Sequence, residues 1–320
     1  MAATKKHAAA LEIAVLAAAS VIFFKLSVFL LVFVIPLALL YRRRGFYGGL
    51  CGSCAAAAGI LGLRLYEAAS LGGGVNAGLL LVEFTIPGAF LVGLAVLEAP
   101  RFSRFPSWKR LLGATFAALL VSLHLVYFIA TSAEYEALLK AQVEATLRYI
   151  TEAQGEQGTL AFVSVEEITR LSRLVFLDTY LAGYFVTLAA NWVIGVRMAM
   201  RMGGEMREFP AYRSFRMPDG AVWIFLLSWA VVFISRFRSL GFGEIAAWNT
   251  ALLVSILYAC QGVGIIKSWT YDMAPVGRFA VTVMLFTLLF VPGLRFIVIA
   301  GVPLLGVTEL WIHYRNKIRS

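Results

Sequence analysis

The residues of this chain that could do chemistry are a few charged and polar side chains inside long apolar runs. A charge in hydrocarbon is costly, so such residues pair with one another or serve a function. Arg64 precedes the glycine-rich stretch 72–74, and Glu83 follows it at a similar distance. This spacing predicts an Arg64–Glu83 ion pair across an antiparallel hairpin, with Glu67 as a competitor. The pair is either structural or part of a solute site that opens outward.

Polar residues with helical spacing mark three further runs. One run contains His124, a second contains Tyr184, Thr187 and Asn191 on one face, and a third contains Gln261. Such stripes face protein or a polar cavity rather than lipid. Interhelical hydrogen bonding would account for them, and so would a ligand. The candidate ligand-binding residues are therefore Arg64, Glu83, His124, Tyr184, Thr187, Asn191 and Gln261.

The cysteines have a spacing that could bind a metal. Cys51 and Cys54 form a C-x-x-C motif, but a zinc ion needs about four ligands and only Cys260 remains. The glycines and alanines around the motif favour a closely packed helix face instead. We find no phosphate-binding loop, nucleophile elbow or paired hydrolase acids. The sequence therefore predicts no catalytic residue, metal or cofactor, and a membrane enzyme is only a third alternative.

The composition indicates the kind of secondary structure that must position these residues. Hydrophobic residues make up 61% of the 320 residues and charged residues 14%, with a mean hydropathy of +0.83. This excludes a soluble globular enzyme, a fibrous protein and a disordered chain. The apolar runs predict an all-α, polytopic helical membrane protein with about eight to ten transmembrane helices. The runs are 8–24, 27–41, 45–68, 76–98, 111–132, 174–196, 220–235, 244–266, 279–291 and 294–312.

The basic residues predict the orientation. The net charge is +10, and 19 of the 28 lysines and arginines fall on one side if the N-terminus is inside. Such loops are cytoplasmic, so both termini are predicted to be cytoplasmic, in a multi-pass protein of the bacterial cytoplasmic (inner) membrane. Lys5-Lys6 and the following apolar run resemble a signal peptide, but the next run begins at Ser27, which favours an uncleaved first span. Bases confined to such loops do not indicate a nucleic-acid partner.

Three parts follow from this topology: an N-terminal membrane bundle (1–132), an extracytoplasmic amphipathic helical excursion (133–173) and a C-terminal membrane bundle (174–320). Ser164 and Glu167 fit a capping box that starts a second helix of the excursion. The excursion either covers the ends of spans or acts as a lid or docking element. Its first helix is predicted from an apolar face and from two glycines that end it. These residues are Leu139, Val143, Leu147 and Ile150, then Gly155 and Gly158.

Three segments of the C-terminal half carry a resemblance to a known family. In their order and spacing they resemble the YybS-like family of predicted bacterial membrane proteins, a domain of unknown function. The resemblance covers about residues 10–315. The segments are Phe215-Arg216-Met217-Pro218-Asp219 leading into Val222-Trp223, Asn249 followed by Leu257-Tyr258-Ala259-Cys260-Gln261-Gly262, and Gly306-Val307-Thr308-Glu309-Leu310-Trp311 running into Tyr314-Arg315.

The N-terminal half is similar to two other groups of proteins. The stretch from Ile35-Pro36-Leu37 through 41–45 to Gly48-Gly49-Leu50 is similar to substrate-binding subunits of energy-coupling-factor vitamin transporters and to the rod-shape protein MreD. These resemblances imply that the protein either holds a small solute or serves as a scaffold in a cell-envelope complex.

We interpret the chain first as a small-solute binding or transport subunit, which works by binding and conformational gating. Its partners would be the lipid bilayer, a small-molecule solute and membrane or coupling proteins. The alternative is a non-transporting membrane scaffold in a cell-envelope complex.

Overall fold

The structure is a computed structural model that describes residues 2–26, 31–70, 77–154, 164–203, 215–271 and 273–317. Every regular element in these ranges is helical, which confirms the all-α prediction. The helices are α1 (Ala2–Lys25), α2 (Ile35–Ser70), α3 (Ala77–Glu98), α4 (Ser107–Thr131), α5 (Ala133–Gln154), α6 (Val165–Arg201), α7 (Ala221–Ser235), α8 (Phe242–Trp269), α9 (Pro275–Phe290), α10 (Arg295–Ile312) and α11 (Tyr314–Lys317).

The helix lengths agree with a multi-pass membrane protein. In the described part of the chain, six stretches are long and apolar enough to cross a bilayer, and α7 and α9 are shorter apolar helices. Helix α3 has 22 residues and also exceeds the roughly 20 that a crossing needs. Each of the ten apolar runs in the sequence overlaps a helical segment. The six stretches are His7–Lys25, Ile35–Glu67, Ser107–Thr131, Val165–Arg201, Phe242–Trp269 and Arg295–Ile312.

Helix α2 is a helical hairpin that reverses at Gly45. The backbone there has φ 74° and ψ −176°, a conformation that is essentially restricted to glycine. Ser53 Oγ donates a hydrogen bond to Tyr41 Oη over 3.4 Å, whereas residues twelve apart in one straight helix lie about 18 Å apart. A Cβ on Gly49 would overlap the Tyr41 ring. The two arms therefore pack side by side. The first arm begins only at Ile35, because residues 31–34 form a turn, so the predicted span 27–41 is wrong over its described residues 31–34.

Helix α6 joins the predicted excursion to the next span. Ser164 Oγ accepts a hydrogen bond from the Glu167 amide over 3.1 Å, as the capping box predicts. The helix then continues for 37 residues, about 56 Å at 1.5 Å per residue. No proline interrupts it, so the predicted boundary at 173–174 is not a break in the helix.

Helix α5 confirms the predicted amphipathic helix of the excursion. Its four apolar face residues are half-buried, and the helix packs against α6. Lys140 Nζ lies 2.5 Å from Glu166 Oε1, and Arg173 NH1 lies 2.7 Å from Glu136 Oε2. The hydrogen bond to Glu166 raises the pKa of Lys140. Gly155 and Gly158, which the sequence predicts to end this helix, lie outside the described residues.

The chain divides into two compact units, residues 1–207 and residues 208–320. The first unit contains α1–α6, and its most extensive helix contacts among the described residues are α3 with α4 and α1 with α2. The second unit contains α7–α11, with α8 packed between α7 and α10. The division at 132 and 173 is one of membrane topology, and it stays a prediction.

Candidate functional site

Helix α3 is the centre of the candidate site of the first unit. Helices α2, α4 and α6 all pack against it. Glu83, Pro87 and Phe90 are spaced by four and three residues and therefore share one face. Thr85 lies two residues after Glu83, about 200° around the helix, on the opposite face. Pro87 has no backbone N–H and cannot donate a hydrogen bond to the Glu83 carbonyl oxygen. That oxygen therefore lacks the usual helical donor four residues ahead.

The predicted ion pair is present at the N-terminal end of α3. Arg64 Nε lies 3.4 Å from Glu83 Oε2, and Arg64 NH1 donates a hydrogen bond to Glu67 Oε2 over 3.0 Å. Lys25 Nζ lies 3.6 Å from the other oxygen of Glu67. The exposed fractions of the Arg64, Glu67 and Glu83 side chains are 35%, 33% and 37%. We call these four residues the outer cluster, after the side of the membrane that the basic residues predict for them; its two acids and two bases balance in charge.

A column of aromatic rings runs from the outer cluster into the first unit. The Arg64 guanidinium carbon lies 5.4 Å from the Phe24 ring centroid. Successive centroids then lie 5.7, 6.2, 4.9 and 6.3 Å apart, all in edge-to-face geometry. All but the last of these rings are buried, so the contacts pack the first unit; aromatic faces can also bind flat apolar groups and cations. In order, the rings of this aromatic column are Phe24, Phe33, Phe90, Tyr184 and Tyr180.

Tyr184 and the ion pair therefore lie along the same face of α3. Phe90, which contacts Tyr184, is seven residues after Glu83, a rise of about 10 Å. His124 lies elsewhere, because its Nε2 is 2.8 Å from Thr85 Oγ1 on the opposite face. The structure thus brings Arg64, Glu83 and Tyr184 to one face and places His124 in the α3–α4 contact.

Asn191 holds a stretch of non-helical backbone. Its Nδ2 donates hydrogen bonds to the carbonyls of Thr187 and Leu31, both over 2.7 Å. Leu31 belongs to a turn at 31–34 that precedes α2, and Ser20 Oγ donates to the Phe33 carbonyl of the same turn over 2.6 Å. Backbone without helical bonds needs such partners in an apolar interior. Asn191 Oδ1 is buried, and no described residue donates a hydrogen bond to it. Thr187 takes part here through its carbonyl.

A second charged cluster, which the sequence analysis did not find, lies at the other end of α3. Glu98 Oε1 accepts hydrogen bonds from Arg42 Nε over 3.0 Å and from Trp192 Nε1 over 2.7 Å. Arg110 NH2 lies 3.9 Å from Glu98 Oε2. The Arg42, Glu98 and Arg110 side chains are only 13%, 8% and 13% exposed. We call these four residues the inner cluster.

The inner cluster joins α2, α3, α4 and α6 about 22 Å from Glu83. In the sequence, Arg42 and Arg110 count only among the 19 basic residues that predict the orientation. The signal that could have found the cluster is Glu98, an acid at the end of an apolar run whose predicted side also holds both arginines.

Gln261, the seventh candidate, belongs to the second unit. Its Nε2 donates to the Gly306 carbonyl over 2.8 Å, and its Oε1 accepts from the Met217 amide over 2.6 Å. Arg315 donates to the carbonyls of Phe215 and Gln261 over 2.9 and 3.2 Å. These bonds bring together the three segments that carry the resemblance to the YybS-like family. Whether any of the seven candidates binds a ligand stays a prediction.

Two glycines allow the close contact between α8 and α10 beside Gln261. A Cβ on Gly306 would lie 2.0 Å from the Tyr258 carbonyl oxygen, and one on Gly262 would lie 2.1 Å from the Val302 carbonyl oxygen. Both obstacles are backbone and cannot rotate away. The Gln-Gly and Gly-Val-Thr-Glu motifs therefore have a packing role in addition to their hydrogen bonds.

The cysteines are free thiols. Cys51 and Cys54 are exposed on the second arm of the α2 hairpin, and Cys260 is half-buried in α8. Within the described ranges, no group of three or more His, Cys, Asp or Glu side chains is placed to hold a metal ion.

The fold and these clusters define a polytopic α-helical membrane protein. Residues 12–306 match the family described as "Predicted membrane protein (DUF2232)". The match covers most of the chain, so the protein belongs to this family, in agreement with the YybS-like resemblance. No curated protein and no solved structure gives a significant match. The similarities to energy-coupling-factor subunits and to MreD stay predictions.

Proposed function

We propose that the first unit binds a small solute from the outer side of the membrane, as a binding or transport subunit. The observation that carries the proposal is the contrast between the two ends of α3. The outer cluster is one-third or more exposed, whereas the inner cluster is sealed by hydrogen bonds and an ion pair among four helices. With the N-terminus inside, as the basic residues predict, this arrangement admits a solute from outside and blocks its passage to the cytoplasm.

The aromatic column supports the same proposal. Ligand sites combine apolar walls with a few convergent polar groups. Here Arg64 touches both the acid Glu83 and the ring of Phe24, so a solute at the outer cluster would meet charges and an aromatic face together. A solute with a charged end and a flat or apolar body matches this surface.

The turn at 31–34 provides further support. Non-helical backbone at membrane depth occurs where it is buried in protein or lines a cavity, and broken helices form the substrate sites of many transporters. The Asn191 Oδ1 atom beside this turn would supply a hydrogen-bond acceptor. We recognise no ATP-binding motif in the sequence, so energised transport would use a partner protein or an ion gradient.

The proposal is tested by purification in a mild detergent and native mass spectrometry of the intact protein. We expect a small molecule to be retained by the unmodified protein and lost from Glu83→Gln. Glu134→Gln, which changes an exposed acid on α5, is the matched control and should retain it. An unmodified protein that carries no small molecule but elutes with a stoichiometric partner protein would overturn the proposal.

One observation favours the scaffold as a second candidate. Ala10, Ala14 and Ala18 are spaced by four along α1, and all three are exposed on the first unit. Small residues at this spacing let another membrane helix approach closely. In a scaffold, Ala14→Leu should release a co-purifying protein, whereas a solute-binding protein without a partner should keep its bound molecule in this variant.

A further inference from the structure

The second unit contains a buried carboxylate that lines a small cavity. Glu309 lies near the C-terminal end of α10, and its side chain is 2% exposed. The cavity has a volume of about 70 Å³. Its other lining residues come from the segment 216–219, from α8 and from the end of α10. They are Arg216, Met217, Pro218, Asp219, Tyr258, Gln261, Leu310 and His313.

Glu309 is paired with two guanidinium groups, but its hydrogen bonds are not complete. Oε1 lies 3.5 Å from Arg216 NH2 and 3.6 Å from Arg315 Nε, both beyond ordinary hydrogen-bond length. The NH1 and NH2 groups of Arg315 donate to backbone carbonyls, and the Gln261 amide is bonded at both ends. In the described part of the chain, no residue donates a hydrogen bond to either oxygen of Glu309.

A buried carboxylate without hydrogen-bond donors is strongly destabilised, even when it is paired in charge. The ligand that this site requires is therefore a hydrogen-bond donor. An additional cation is not required, because two guanidinium groups already lie within 4 Å of Glu309 Oε1.

The cavity volume sets the size of the donor. A water molecule takes up about 30 Å³ in the liquid, so the cavity has room for about two. Sites for small metabolites measure about 300 Å³ or more. We propose that this cavity, which opens to the surface beside Arg216 and His313, binds one or two water molecules, which donate hydrogen bonds to Glu309 and bridge it to Arg216. The site is independent of the solute site proposed for the first unit.

Water in this position would complete the junction of the three segments. Gln261 and Arg315 hold the backbone of 215–217 directly, and the water would tie Arg216 to α10. A water-mediated contact is nearly as favourable as a direct one. Glu309 would then be a structural acid that holds the start of the second unit against α8 and α10.

The experiment is hydroxyl-radical footprinting by radiolysis of the full-length protein in detergent micelles. Radicals formed from bound water oxidise adjacent side chains even when these side chains are almost fully buried. Tyr258, which lines the cavity, is 3% exposed, and Tyr41, in the α2 hairpin, is 4% exposed. We expect Tyr258 to be oxidised several-fold faster than Tyr41. Equal rates would overturn the proposal.

Two variants identify Glu309 as the residue that holds the water. Glu309→Gln keeps polar atoms in the cavity and should keep the fast oxidation of Tyr258. Glu309→Met has a similar size without polar atoms and should reduce the rate to that of Tyr41. Size-exclusion chromatography shows whether Glu309→Met is folded; if it is not, Leu310→Phe, which fills the cavity, takes its place. Fast oxidation of Tyr258 in the folded, apolar or filled variant would contradict the proposal.

Discussion

Arg64 Nε of α2 lies 3.4 Å from Glu83 Oε2 of α3, on two helices that flank the glycine-rich stretch 72–74 in the sequence. The contact fixes the register of the two helices at this end. Both side chains are about one-third exposed at the predicted outer end of the hairpin, where we expect water to screen the pair and to keep its energy small. The functional importance of the pair therefore depends on whether a ligand can reach the two charges.

Neutralising this pair should affect binding more than stability. We expect the coupling energy between Arg64→Gln and Glu83→Gln to be about 0–1 kcal/mol, as for other exposed pairs. A double-mutant cycle of thermal unfolding in detergent measures it. If the proposed function is right, the bound molecule is lost from both single variants while their unfolding temperatures stay close to that of the unmodified protein. A large loss of stability would instead assign a structural role to the pair.

The inner cluster should be strongly stabilising. Glu98→Ala leaves Arg42 and the Trp192 N–H buried without their acceptor. Breaking a buried pair in this way costs about 3–5 kcal/mol. We expect a clear decrease in the free energy of unfolding for Glu98→Ala. Glu152→Ala, at an exposed position of α5, is the control, and similar decreases in both variants would refute the assignment.

The contact between α8 and α10 should not tolerate a methyl group. In Gly306→Ala the new Cβ would meet the Tyr258 carbonyl oxygen at 2.0 Å, so the helices must separate. Overpacking of this kind costs about 1–3 kcal/mol. Gly301→Ala on the same helix is a matched control, because its Cβ meets nothing within 4 Å. Thermal unfolding should separate the two variants, with only Gly306→Ala destabilised.

The hairpin of α2 should depend on the backbone freedom of Gly45. A Cβ at this position meets no atom within 4 Å, so any cost of Gly45→Ala comes from its conformation alone. That strain is about 1–3 kcal/mol. Gly62→Ala, in a helical conformation with open space, should be neutral or slightly stabilising. Equal unfolding temperatures for the two variants would show that the reversal at Gly45 is wrong.

The predicted orientation is tested without any variant of the site. Reporter fusions within residues 198–218 should be active only with a reporter that works in the cytoplasm, because the neighbouring loops hold most of the arginines. A fusion within residues 133–154 should show the opposite behaviour. An outer location of 198–218 would reverse the direction in which the proposed solute site opens.

The sequence could predict the Arg64–Glu83 contact because that contact is local. Two helices joined by a short connection run antiparallel, so equal distances from the turn give equal depth. The Ser164 cap and the apolar face of α5 depend likewise on neighbouring residues only. The inner cluster could not be predicted in this way, because Arg42, Glu98 and Trp192 come from three separate helices.

Periodicity gave the helix face of each polar residue, but not its partner. Glu83 and Thr85 lie within one turn of α3, yet the first contacts Arg64 and the second contacts His124 on the opposite face. Gln261 was grouped with residues of the first unit, whereas its bonds hold together three segments of the second. Helix packing alone decides such contacts.

The sequence by itself determined that this is a helical membrane protein, where most of its apolar helices lie and which way it is predicted to face. These properties follow from the transfer of each segment between water and lipid, which depends on local composition. Only the tertiary structure decided that one end of α3 is exposed and the other sealed, and that Glu309 is buried beside a cavity. Burial of a side chain depends on the helices that pack around it, and the sequence of a single helix does not specify which helices these are.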